Sequence, residues 1–197
     1  MCFRGVIKIR APHGGSLAVT IHAVKSVESC AEADLEALFA QHWSRVYGLL
    51  FRLVGEHAEA EDLALEVFWR YYHNPPTEHD PQRVGGWLYR VALRLGFNSL
   101  RAQRRRNKYE DAVGMQNLVH EESLDPANQV ELEEQRQQVR QVLAQMKPKP
   151  ARLLVLRYNG LSYAEIATTL EIAPGSVGTF LARAEAEFQK RYKLIWR

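Results

Sequence analysis

The stretch Leu161–Arg183, "LSYAEIATTLEIAPGSVGTFLAR", decides the fold, because it reads as two short helices joined by a tight turn. Ser162 followed three positions later by Glu165 is a capping box: each side chain satisfies a backbone N–H left open at a helix start. The first helix buries Ile166 and Leu170, Ile172 marks the turn, and Pro174 suits an early position of the second helix. This is helix-turn-helix grammar. In such motifs the opening residues of the second helix meet base edges, usually through Arg, Lys, Asn or Gln. Here that stretch offers Ser176, Gly178, Thr179 and Phe180, with Arg183 a turn further on, so its grip on a duplex is expected to be weak.

Working outward, helical spacing precedes the hairpin at Leu132, Val139, Val142, Leu143 and Met146, breaks at "KPKP", and resumes at Leu153, Leu154 and Leu156. Nearer the N-terminus a 3.6-residue period starts at Ala33, runs through Leu35, Leu38, Phe39, Val46, Leu49, Leu50 and Leu53, and closes at Gly55. A second helix over 57–72 carries Leu63, Val67, Phe68 and Tyr71 on one side and Glu59, Glu61, Asp62 and Glu66 elsewhere. Asp80 can cap a third, begun by Pro81, whose expected buried stripe is Trp87, Leu88, Val91, Ala92 and Leu95. The fold class is therefore all-α: two small helical domains joined by an acidic linker, the C-terminal one holding the helix-turn-helix. The expected divisions are an extension over 1–32 with a weak strand at 18–24, a bundle over 33–108, a linker over 109–135 and a second bundle over 136–197.

Composition sets broad limits. The chain has 197 residues, 46% hydrophobic and 25% charged, which is ordinary for a globular protein. Its net charge of only +3 hides a strong asymmetry. Arg83, Arg90, Arg94, Arg101, Arg104, Arg105, Arg106 and Lys108 follow one another with no acid between them. Then Glu110, Asp111, Glu121, Glu122, Asp125, Glu131, Glu133 and Glu134 follow with no Lys or Arg.

The basic run suits either a solvated helix end, where cations complement the macrodipole, or a strip that neutralises phosphate. Trp87, Tyr89 and Phe97 on the same helix favour the second, since aromatic rings beside basic side chains are what single-stranded nucleic acid requires. Trp87 fits the core; Tyr89 and Phe97, off the main stripe, are the expected stacking residues. On the preceding helix Asp62, Glu66 and Trp69 fit either a solvated acidic face or a docking surface for a partner protein.

Catalysis is not expected. His42, His57, His73, His79 and His120 are scattered, and neither a metal-ligand spacing nor a phosphate-cradling glycine loop occurs, so no metal and no cofactor is expected. Cys2 and Cys30 are too few for a disulfide framework. With no convincing signal peptide and no apolar run of membrane length, a cytoplasmic, non-membrane protein is expected.

The order "AEDLALEVFWRYY", "GWLYRVALRLGFNSLRAQRRR", an acidic linker and "GLSYAEIATTLEIAPGSVGTFLARA" resembles the small two-domain sigma factors of bacterial RNA polymerase, the extracytoplasmic-function type. The resemblance covers 33–108 and 136–193. It implies a transcription initiation factor that binds RNA polymerase core and promoter DNA, with an anti-sigma factor as a further partner class. By that resemblance Asp62, Glu66, Phe68 and Trp69 face polymerase, and the helix over 83–108 opens the minus-10 element. Tyr89, Arg90, Arg94, Phe97, Asn98, Arg101, Arg104, Arg105 and Arg106 then lie along DNA, and Ser176, Thr179 and Arg183 meet minus-35 within 173–186. The chain departs from the family pattern at Leu65 for Gln, Arg94 for Asn, Glu171 for the turn Gly, Ala173 for the capping Ser, and Gly178-Thr179-Phe180 for Lys-Ser-Arg.

A weak reading head suffices when it is tethered to a second binding module, because its engagement becomes intramolecular. Residues 109–135 as a free coil average only ~29 Å but reach ~90 Å when stretched; promoter elements two helical turns apart lie ~70 Å from each other. The linker must therefore run extended. The alternatives are a free-standing helix-turn-helix regulator, which would bind duplex tightly without polymerase, and a helical interaction module with an RNA-binding tail.

Overall fold

The computed structural model describes residues 6–10, 16–20, 28–76, 81–113 and 126–196. The chain divides into two compact units, Met1–Gln41 and His42–Arg197.

In the first unit β1 (Val6–Arg10) pairs antiparallel with β2 (Ser16–Thr20), Val6 opposite Thr20 and Ile9 opposite Leu17. The expected strand over 18–24 thus lies a few residues earlier and has a partner. Alternation in "VIKIR" suits a two-sided ribbon, and the Gly14-Gly15 turn signal falls in the connection, outside the described residues. Helix α1 (Glu28–Val54) starts before Ala33, because "ESCAEA" contains no helix breaker.

The second unit is all helix among its described residues. α1 ends where Gly55 takes φ 85° and its N–H donates to the Phe51 carbonyl, the left-handed stop expected of that glycine. α2 (His57–His73) and α3 (Pro81–Val113) complete the first bundle. Its core is Val46, Leu49, Leu50 and Leu53 from α1, Ala60, Ala64 and Val67 from α2, and Val84, Leu88, Ala92, Leu93 and Leu100 from α3. A Cβ on Gly96 would lie 2.7 Å from Leu53 Cδ1, so glycine is what lets α3 press against α1.

The second bundle comprises α4 (Pro126–Gln145), α5 (Pro148–Tyr158), α6 (Tyr163–Leu170) and α7 (Val177–Ile195). Val142, Met146, Leu153, Leu156, Leu161, Ile166, Val177 and Leu181 form its core, and the Tyr192 hydroxyl donates to Gln138 Oε1 at 2.7 Å, joining α7 to α4. Both ends of the acidic stretch are helical, α3 reaching Val113 and α4 starting at Pro126, whereas composition alone reads all of 109–135 as linker. Residues 114–125, including Glu121, Glu122 and Asp125, lie outside the described residues, as does Asp80 with its expected cap.

Candidate functional site

The helix-turn-helix forms as its residues dictate. Ser162 Oγ accepts from the Glu165 N–H at 3.3 Å, and the Glu165 carboxylate accepts from the Ser162 N–H at 2.8 Å, closing the capping box. That backbone donor, with the Ser162 hydroxyl, holds the Glu165 carboxyl below its ordinary value. After α6, Glu171 turns the chain at φ 53°, the left-handed region a glycine would enter without a Cβ penalty. Ala173 contributes no side-chain cap, and Pro174–Ser176 form a 3₁₀ turn before α7. At the start of α7 Thr179 and Arg183 are exposed and Ser176 is half-buried. Lys149 lies over the Phe180 ring at 4.9 Å, adding a cation beside the reading head.

On α3 the basic side chains form a stripe. Arg90, Arg94, Asn98, Arg101 and Arg105 recur every three or four residues, the spacing that places side chains above one another on one helix face. Arg94, Asn98, Arg104, Arg105 and Arg106 are exposed; Arg90 and Arg101 are half-buried. Arg101 lies 5.6 Å from the Phe97 ring centre. Arg104 lines a groove of about 310 Å³ between α3 and α4 with Gln103, Asn107, Gln137 and Arg140. Arg152 of α5 stands near enough to Arg101 and Arg94 that their charges, after burial, lower its own proton affinity, and its buried Nε lacks a hydrogen-bond partner. The stripe therefore extends onto the second bundle.

Two expectations on α3 are corrected. Tyr89 is 3% exposed and Phe97 1% exposed, so neither ring is available to stack on a base. α3 is packed on more than one side, and the extra coverage draws in rings that a single apolar stripe leaves out. Tyr89 lies edge-on to His42, 6.4 Å between ring centres, and burial raises the Tyr89 hydroxyl's pKa. Conversely Trp87, Val91 and Leu95, expected in the core, are half-buried.

On α2 the acidic-aromatic face is present in part. Asp62 is exposed, and Trp69, 57% exposed, lies against His73 with ring centres 4.1 Å apart and planes tilted by 35°. Glu66 is half-buried and accepts from Arg70 Nε at 2.7 Å. Phe68 is corrected: at 4% exposed it packs 6.0 Å from the Trp43 ring and supports the surface from beneath.

Sequence reasoning missed Arg45 and Arg152, and it singled out Glu171 only as a residue in the place of the turn glycine, not for its charge.

Residues 38–106 match the family described as Sigma-70 region 2, and residues 136–188 match Sigma-70, region 4. The ECF RNA polymerase sigma factor SigW of Bacillus subtilis is 28% identical over 181 residues, 88% of this chain and 95% of the relative. The RNA polymerase sigma-H factor of Pseudomonas aeruginosa is 30% identical over 173 residues, 83% of this chain and 88% of the relative. SigL of Mycobacterium tuberculosis, another ECF RNA polymerase sigma factor, is 31% identical over 153 residues, covering 76% and 84%. In fold, the chain is similar to the sigma factor RpoE of Bartonella quintana, solved with the anti-sigma factor NepR, at TM-score 0.50 and 18% identity over 81% of this chain and 97% of that one. CnrH, solved with the cytosolic domain of CnrY, gives TM-score 0.52 at 18% identity over 81% and 87%.

Two reading modules in this order, with whole-length relatives of one kind, define the class: the chain belongs to the sigma-70 family as an ECF-type sigma factor. It is a promoter-recognition initiation factor that works by binding RNA polymerase, and the reading as a free-standing regulator is set aside, because a region 2 match precedes the helix-turn-helix. Sigma factors are initiation factors rather than catalysts. No helix among the described residues is long and apolar enough to cross a membrane.

Proposed function

We propose that α3 is the promoter-opening element and α7 the minus-35 element, with Arg90, Arg94, Asn98, Arg101, Arg104, Arg105 and Arg106 along the opened strand and its phosphates. Ser176, Thr179 and Arg183 position the second module on duplex. Asp62 and Trp69, with Glu66 beside them, dock α2 on polymerase core. The functional divisions are 33–108 for core binding and minus-10, 109–135 as the tether and 136–197 for minus-35, with 1–32 an extension. A cytoplasmic location and an anti-sigma partner accompany this role; the anti-sigma factor NepR, bound to one structural neighbour, supports the latter. The observation that carries the reading is the one-faced basic stripe of α3, which continues without an acid from Arg83 to Lys108.

The test is capture of purified polymerase core followed by run-off transcription. Asp62→Lys should weaken core capture several-fold while leaving the chain's own thermal stability unchanged. Undiminished capture would remove α2 from the polymerase contact, and no capture by the unaltered chain would end the proposal.

A further inference from the structure

Where two helices face each other, the stripe between them is ordinarily apolar. The seam between α3 and α4 is not. Leu100, Gln103, Arg104 and Asn107 follow one another on α3 at steps of three, one and three residues, which places them on one helix face. Gln137, Arg140, Gln141 and Ala144 repeat that spacing on α4, with Gln145 beside them, and the two faces line a space of about 310 Å³. Leu100 and Ala144 are its apolar members, and both are buried. No carboxylate lines it.

Most of the polar groups in this space are unspent. Among the described residues, the side chains of Gln103, Arg104, Gln137, Gln141 and Gln145 have no hydrogen-bond or ion-pair partner. Arg140 is held instead: its side chain is 13% exposed and ion-paired with Glu133 of the same helix, and a Cβ on Gly55 would stand 2.6 Å from its Cζ. The guanidinium therefore lies against the turn that ends α1. A guanidinium has five N–H donors, so one ion pair leaves others open, and a side chain already fixed meets a ligand at little ordering cost.

The mixture of groups selects the ligand. A bare inorganic anion would use the guanidiniums and leave the amide carbonyls idle, because it accepts hydrogen bonds and donates few. A nucleobase edge carries donors and acceptors side by side, the pattern that Asn and Gln amides match, and phosphate suits Arg. We infer that the groove between α3 and α4 binds one free nucleoside phosphate, with the half-buried Gln141 and Gln145 on the base edge and Arg104, at the exposed margin, on the phosphate. Its volume lies at the small end of the ~300–1,000 Å³ typical of small-molecule sites, which favours one nucleotide over a run of them. The inference goes beyond the proposed function and requires neither core nor promoter. Arg104 is the one residue that a bound nucleotide and an opened strand would share.

The test is calorimetric titration of the full chain with ATP, GTP, CTP and UTP in turn. At least one of them should bind at one site per chain. Arg104→Ala should weaken that binding about ten-fold, as loss of a charge-assisted hydrogen bond does, and Gln141→Leu combined with Gln145→Leu should weaken it by about as much or more. Arg104 is exposed, so its variant reports on binding even where the double variant melts early. Lys190→Ala, which removes the same charge from α7 outside the groove, should bind as the unaltered chain does. Absence of binding by all four nucleotides, or equal losses in Arg104→Ala and Lys190→Ala, overturns the site. Inorganic phosphate binding as tightly as the best nucleotide overturns the base contact. A single-stranded tetranucleotide binding more tightly than any free nucleotide gives the groove to the opened strand and overturns the free ligand. Core capture and run-off transcription are read without added ligand beyond the transcription substrates, so loss of the proposed function and loss of this site are separate results.

Discussion

Phe97 shows how one side chain separates two accounts of α3. A ring that stacks on bases can be removed with little effect on folding, whereas a fully buried ring leaves a cavity. Phe97→Ala should therefore destabilise the chain by about 3–5 kcal/mol, measured by denaturant unfolding, and lower core capture and transcription together as the folded population falls. His42 gives a pH signature. Burial first, then the neighbouring Arg45, lowers its pKa below the ordinary 6.5. The unfolded chain then binds a proton more readily than the folded one, so the contribution of His42 is present above about pH 6.5 and is lost as pH falls through the lowered value. Thermal melts between pH 7.5 and 5 should show falling stability, and His42→Gln should flatten that slope.

Among the elements, α6 depends most on local chemistry, because at only 8 residues it is too short to be stable in isolation and its cap adds to the packing that holds it. Ser162→Ala should cost about 1 kcal/mol in denaturant unfolding. Because the Ser162 N–H and hydroxyl hold Glu165 below its ordinary value, that contribution is present above about pH 4.5 and lost as pH falls through the lowered value; the variant should lose part of this acid sensitivity. For α3 the question is electrostatic. Arg104→Ala, Arg105→Ala and Arg106→Ala together should weaken promoter opening and lower the salt slope of DNA binding by up to about three units if each neutralises one phosphate. An unchanged slope assigns them to a solvated helix end.

For the molecule entire, reach is the governing quantity. With α3 ending at Val113 and α4 starting at Pro126, the chain between them can extend ~40 Å, and α4 adds ~30 Å along its axis. The sum only just meets the ~70 Å between promoter elements, a tighter tether than 109–135 suggests when taken wholly as coil. Deleting six residues from 115–124 shortens the reach by ~20 Å. Such a variant should retain core capture but lose transcription from promoters that need both elements, read by run-off assays on templates with normal and shortened spacers.

Sequence by itself determined the helices and their punctuation. The capping box at Ser162 and Glu165, the stop at Gly55, the proline start of α3 and the charge asymmetry across Lys108 are all short-range chemistry, legible because partner and cause lie within a few residues, whereas "KPKP", read as a break, supplies the first turn of α5 from Pro148. The basic stripe was legible for the same reason. Only tertiary structure decided which rings of α3 are core, since a ring suited to stacking on a base is equally suited to burial, and the choice depends on how many neighbours the helix has. It alone also decided what Arg90 meets: Glu171 lies 81 positions away, and no periodicity within one helix reports the charge that another helix brings to it.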